Sequence, residues 1–130
     1  MKPGAIRDLR ALLLGMEPEL GERAWVFASL QEGAMIPATA FATVREPEGL
    51  CAIIPAEAGF RDAAQFARIT LQVNSDLEAV GLTAAVATAL ASSGLACNIV
   101  AGLHHDHLFV PWARREDAMK VLKKVSRDAN

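Results

Sequence analysis

Apolar residues at Ala5, Ile6, Leu9, Leu12, Leu13 and Met16 recur at spacings of three and four, which makes one stripe of a helix, and Pro18 ends it. The bulky run Trp25 to Leu30 predicts a buried strand, interrupted by Gly33 to Pro37. Thr39 to Arg45 alternates threonine with small or apolar residues, Glu46-Pro47-Glu48-Gly49 supplies turn chemistry, and Leu50 to Ile54 returns. That pattern predicts a hairpin, with Pro47 fixing φ in the turn. Pro55 to Phe66 reads as a connector with one helical turn, and it divides the chain.

Beyond the connector, Arg68 to Val73 alternates strictly, so Ile69, Leu71 and Val73 share one face of a half-buried strand. Ser75 followed by Glu78 predicts a capping box, opening a helix over Leu77 to Ala91 that Gly94 stops in the left-handed conformation. The outer positions of this helix are Ala and Thr rather than charges, which predicts cover on more than one side, from a second layer or a second subunit. Leu95 to Gly102 is the next strand and His107 to Val110 the last. Leu108 and Val110 point one way and Phe109 the other, so one layer of helices cannot cover both faces. Arg114 to Ser126 closes the pattern as a helix with Ala118, Val121, Leu122 and Val125 inward, Glu116 and Asp117 in its first turn and lysines in its last. The order of the carboxy-terminal half, βαββα, is the body of a ferredoxin-like unit, so the fold class is α+β.

Composition narrows the function classes. A chain of 130 residues with 52% hydrophobic and 22% charged positions is an ordinary globular protein. At this length it buries about two thirds of its unfolded surface and folds without disulfides or metal. A net charge of -2 and a pI near 5.9 give no basic footprint, so no nucleic-acid partner is expected. No run of about 20 apolar residues is present to span a bilayer, and the opening MKPGAIRDLR carries charges where a signal would be apolar. The expected location is the cytoplasm, with no membrane partner. Cys51 and Cys97 stand alone without C-x-x-C spacing and are read as buried reduced thiols.

Three stretches in order, Leu77 to Ala85, Gly94 to Gly102 and His105 to Pro111, lie within residues 69 to 125, and together they resemble the ACT domain. The likeness is to small bacterial stand-alone ACT proteins, similar in turn to the ACT repeats of aspartate kinases and of the arginine-sensing CASTOR proteins. Residues 1–60 resemble a divergent ACT-like unit, and residues 61–130 an ACT domain proper. The resemblance implies a ferredoxin-like βαββαβ fold in two ACT-like units, antiparallel sheets packed by helices, and pairing of units into a homodimer. It also implies small-molecule binding, of an amino acid in most members, without a cofactor. One departure stands out: no strand pattern follows the final helix before Asn130. Either Trp25 to Leu30 fills that edge, or a second subunit does.

Two clusters carry candidate chemistry. The loop Asn74-Ser75-Asp76 joins a helix start, whose unpaired N–H groups and positive partial charge suit the carboxylate of an amino acid. Asp76 could meet its ammonium, and Gly81 with Leu82 matches the early helical glycine that lets backbone and ligand approach in ACT sites. The plainer alternative is a capping box and a glycine that permits helix packing. All three histidines of the chain fall in His104-His105-Asp106-His107. His104 and Asp106 are expected to line the ligand site. The alternatives are hydrogen-bonded histidines at a strand entrance, or a metal- or His-dependent enzyme. For the last, a structural zinc needs four ligands and a catalytic one three, and no second Cys/His cluster, nucleophile elbow or phosphate loop is present. The expected protein is therefore a non-enzymatic, ligand-binding ACT sensor without a resident metal, with a ligand-free dimerisation module as a further alternative. Any output would pass through a partner or self-association.

Overall fold

The computed structural model describes residues 4–58, 60 and 62–130, the side chain of residue 58 excepted; Met1–Pro3 at the chain start and residues 59 and 61 of the connector lie outside the described residues. The elements in chain order are α1 (Leu9–Leu14), β1 (Pro18–Leu30), β2 (Ala42–Glu46), β3 (Gly49–Pro55), β4 (Phe66–Leu71), α2 (Leu82–Ser92), β5 (Asn98–Ala101), β6 (Asp106–Pro111) and α3 (Arg115–Asp128). The connector holds one 3₁₀ turn, Ala56–Ala58. All six strands join one antiparallel sheet in the order β2-β3-β1-β4-β6-β5.

The centre of that sheet is β1, longer than its sequence pattern suggested. Trp25 to Leu30 does not fill the edge beside β4; it pairs with β3, from Trp25 opposite Pro55 to Leu30 opposite Leu50. The edge is filled by the preceding half of the same strand, with Pro18 opposite Leu71 and Trp25 opposite Phe66. That half carries Glu19, Gly21, Glu22 and Arg23, polar residues that conceal a strand. Pro18 needs no ladder partner for a missing N–H at a strand's first residue, and the register shifts between Leu20 and Ala24. The result is the ferredoxin-like order β1-β4-β6-β5 for the carboxy-terminal half, its fourth strand lent by the amino-terminal half. The same pairing gives β2-β3-β1-β4 on the other side, so each half completes the other.

The helices lie on one face. Ile69 and Leu71 of β4, with Leu108 and Val110 of β6, pack beneath Leu12, Met16, Leu82, Val86, Leu90, Ala118 and Leu122. On the opposite face Phe109 is fully buried with no helix to cover it, inside a cluster of Trp25, Ile53, Phe41 and Phe66. Phe109 meets Phe27 and Phe41 edge-on, each with ring centroids 5.5 Å apart, the favoured arrangement for aromatic quadrupoles. The two apolar faces of the last strand are thus covered by helices on one side and by amino-terminal aromatics on the other.

Four local expectations differ from the structure. The first helix is shorter than its apolar stripe. Asp8 caps it by accepting from the Ala11 N–H at 2.9 Å, and Ile6 is drawn into a parallel bridge with Ser75. That bridge also removes the capping box, because Ser75 belongs to an extended segment and the helix starts only at Leu82 with Gly81 as its cap. Leu77 and Val80, expected in the helix, are 64% and 84% exposed. The outer face of α2, with Thr83, Ala84, Thr88 and Ala91, is exposed in the single chain, so no second layer of the described residues covers it. Cys51 and Cys97 are free but half-buried, and burial pushes the Cys97 thiol up to about 11. Gly94 does stop α2 as its position suggested, at φ +72°.

Phe109 anchors the helix-free cluster, so Phe109→Ala is expected to cost about 3–5 kcal/mol, as for other buried aromatic truncations. Urea unfolding followed by tryptophan fluorescence measures it; a loss under 1 kcal/mol would show that the aromatic cluster does not hold the two halves together.

Candidate ligand site at the start of the second helix

The site begins with the segment that follows β4. Ile6 donates its N–H to the Asn74 carbonyl and accepts from the Asp76 N–H, both at 2.9 Å, so residues 74–76 are held extended at the sheet's end. Asp76 then turns the chain: its Oδ1 accepts from the Glu78 N–H at 2.8 Å. Arg7 closes on the same loop, 3.1 Å from Asp76 Oδ2 and 2.6 Å from Glu78 Oε2. The Glu78 N–H bond and the Arg7 guanidinium together hold the Asp76 carboxyl below the usual aspartate value.

Gly81 sets the next turn at φ +110°, a region that costs other L-residues about 1–2 kcal/mol. A Cβ there would also come within 2.9 Å of Leu9 Cδ2. Ala85 N–H donates to the Gly81 carbonyl, and no side chain caps the helix N-terminus. The leading N–H groups of α2 and their positive partial charge are therefore open to a ligand.

Across from them, the Gly102 N–H donates to the His105 carbonyl at 2.9 Å, closing the β5–β6 turn that carries Asp106. A cavity of about 130 Å³ lies between the two, lined by Ser75, Asp76, Gly81, Leu82, Thr83 and Asp106 among others. Asp106 is half-buried and makes no ion pair among the described residues. Burial raises its pKa above the usual aspartate value, with His105 opposing in part.

Five of the seven residues singled out in the sequence thus meet in one cavity: Ser75, Asp76, Gly81, Leu82 and Asp106. Asn74 and His104 do not join them. They line a larger hollow of about 610 Å³ on the other side of the same segment, with Glu17, Gln72 and His105. Thr83 and Gly102 were not singled out; Thr83 is legible once Gly81 is read as the cap, since glycine is an accepted N-cap residue.

Of the three histidines only His107 lies in β6; His104 and His105 sit in the turn before it, with ring centroids 6.3 Å apart. His105 Nδ1 lies 3.4 Å from the Val73 carbonyl. His107, on the helix-free face, stands 2.9 Å from Thr70 Oγ1 through Nδ1 and packs edge-on against Phe41. Burial, Arg68 and His105 hold His107 below the usual histidine value. Among the described residues no group of three or more His, Cys, Asp or Glu side chains is placed to hold a metal ion.

Two family models, each for the ACT domain, match residues 4–68 and 65–124. The chain belongs to the ACT-domain family. The ACT assignment covers both halves, including the amino-terminal one whose helices are replaced by residues 31–41 and by the Ala56–Ala58 turn. No curated protein matches the chain. Among solved structures, a Vibrio cholerae protein of unknown function, a possible transport protein, is 45% identical, with 86% of this chain and 91% of that one covered at a TM-score of 0.76. A protein of Agrobacterium tumefaciens is 18% identical, with 84% and 87% covered at a TM-score of 0.68, and shares the fold. ACT domains bind small-molecule ligands in regulation, and no helix among the described residues is long and apolar enough to cross a membrane.

The raised Asp106 carboxyl has a pH signature. Its folded pKa lies above its unfolded one, so the folded state binds the proton more tightly and its ionisation lowers stability as pH rises through that window. Asp106→Asn is expected to be more stable than the parent at neutral pH, with the difference vanishing below the ordinary aspartate value of about 4. Denaturation midpoints of the pair between acid and neutral pH test this. A constant difference across the range would show that Asp106 is not desolvated.

Proposed function

We propose that this ACT protein is a non-enzymatic sensor of an amino acid, bound in the cavity between the α2 N-terminus and Asp106. The observation that carries the reading is the pairing of opposite electrostatics across one small cavity. Uncapped helix N–H groups face a half-buried carboxylate that no Lys or Arg of the described residues pairs with. A ligand carboxylate suits the first and a ligand ammonium the second. Asp76 is already committed to Arg7, so Asp106 is the ammonium partner and Asp76 the group that shapes the loop.

The reading extends to assembly and place. The protein acts in the cytoplasm as a homodimer, formed over the small-residue outer face of α2, and the ligand favours one arrangement by its differential affinity. Its output passes to a partner protein. Residues 1–60 and 61–130 are the two ACT units, joined at the connector.

A thermal-shift screen with the twenty amino acids and common divalent ions tests the sensor. A ligand at a hundred times its Kd stabilises the fold by about 2.7 kcal/mol, and that shift is expected to vanish in Asp106→Ala. A shift with a metal alone, lost in His105→Ala and His107→Ala, would replace the sensor by the His-dependent reading. No shift with any amino acid would favour a ligand-free dimerisation module. Sedimentation equilibrium at micromolar concentration is expected to give a dimer, and a strict monomer would remove that part.

A further inference from the structure

On the helix-free face of the sheet, Arg68 is held in an unusual way. It stands on β4 between Ala67 and Ile69, which pack under the helices, so its side chain takes the other face. Its guanidinium carbon lies 5.1 Å from the ring centre of Trp25 and 4.9 Å from that of Phe41. Two aromatic faces fix the group by cation–π attraction without satisfying any of its donors. The Arg68 side chain makes no hydrogen bond or ion pair among the described residues, and its Nε is buried without an acceptor. The indole Nε1 of Trp25, a residue only 4% exposed, is likewise buried and without an acceptor.

Buried donors of this kind are rare in folded proteins and call for a physical reason. The charges nearby do not supply one. Arg23, whose guanidinium carbon lies 6.0 Å from the ring centre of Trp25, is a second cation and is engaged by Glu57 at 3.0 Å. Glu19 is engaged by the Gln72 amide at 2.5 Å. Burial and Arg23 both hold Arg68 below the usual arginine value, with Glu19 opposing. The backbone is built around the same point. The register of β1 against β4 shifts between Leu20 and Ala24, opposite Arg68, as strands do where a site re-aims a side chain. Gly21 lies in that shift, and a Cβ on it would come within 3.3 Å of the Arg68 carbonyl and 4.0 Å of Arg68 Nε. A cavity of about 150 Å³ opens there, lined by Glu19, Gly21, Arg68, Thr70 and Gln72.

We infer that this cavity is a second small-molecule site, distinct from the one beside α2, which takes the head of a zwitterion: its carboxylate on Arg68 and its ammonium on Glu19. A fixed guanidinium suits a planar carboxylate. The carboxylate of Glu19 at the same cavity disfavours a phosphate dianion and favours a ligand that also carries an amine. The Thr70 hydroxyl and the Gln72 amide add neutral hydrogen-bonding groups. The cavity is smaller than those that enclose whole drug-sized ligands, so it holds the charged head and leaves the rest of the molecule outside.

The test uses the full chain and glycine, the smallest zwitterion, as probe, with acetate, inorganic phosphate and sodium chloride in parallel. Nitrogen–proton correlation spectra follow the Arg68 Nε–H and the Trp25 indole N–H, which report this face and not the cavity beside α2. Glycine is expected to move both signals saturably, acetate more weakly and chloride only linearly. Arg68→Met, which keeps the stem and removes the charge, is expected to weaken glycine at least about tenfold, as loss of a charge-assisted bidentate contact does. Glu19→Gln is expected to weaken glycine while leaving acetate unchanged, and it serves if Arg68→Met fails to fold. Saturation by phosphate but not glycine overturns the zwitterion assignment. A linear response to every probe, or glycine binding untouched by both variants, overturns the site.

Discussion

The antiparallel pairing of β1 with β4 is the constraint on which the rest of the molecule depends. One thirteen-residue strand serves two partners in succession, β4 along its first half and β3 along its second, with Trp25 opposite residues of both. Neither ACT unit closes a four-stranded ferredoxin-like sheet from its own strands, since each borrows its fourth from the other. An unpaired central strand edge would leave a row of backbone donors and acceptors open. The shared pair satisfies them and joins the strands of both units in one sheet, although the sequence of each is recognisably an ACT unit.

That pairing also explains the difference between the faces. The carboxy-terminal unit retains α2 and α3, and its β4 and β6 bury Ile69, Leu71, Leu108 and Val110 beneath them. The amino-terminal unit has no helix between its first strand and its hairpin, and its aromatic residues instead cross to the other face and bury Phe109. Hydrophobic burial is thus supplied by helices on one side and by rings on the other. The rings bring Arg68 with them, because a guanidinium stacks on aromatic faces while remaining charged. The two candidate sites follow from this division. One lies at the helix start, where backbone dipoles meet Asp106. The other lies beside the rings, where Arg68 and Glu19 line one cavity.

Glycine and proline placements show how local chemistry positions the first site. Gly81 adopts a conformation that a side chain would strain, and so ends the loop that Asp76 begins. The loop's geometry is not set locally, however. Ile6 and Arg7, from the start of the chain, hold residues 74–76 extended and neutralise Asp76. In the proposed site it is therefore Asp106, and not Asp76, that is assigned to a ligand cation.

Much of this was legible in the residues themselves. Alternation at 68–73 and 107–110, the helical stripe of 114–126, the Pro47 turn and the Gly94 stop all depend on neighbours close in sequence, so periodicity reported them correctly. The ACT resemblance of residues 69–125 rested on the same local order, and five of the seven candidate residues meet in one cavity because a strand-to-helix loop and a strand turn converge at one end of a ferredoxin-like unit. What tertiary structure alone decided came from partners far apart in the chain. The bridge of Ile6 with Ser75 overrode a sound capping signal, because two backbone hydrogen bonds and an Arg7 ion pair outweigh one side-chain cap. The first half of β1 was hidden because its solvent face is charged and only pairing with β4 makes it a strand. The histidines looked like one cluster in sequence, yet the turn keeps His104 and His105 at one hollow while β6 carries His107 to Thr70 and Phe41, a separation that only the folded backbone imposes.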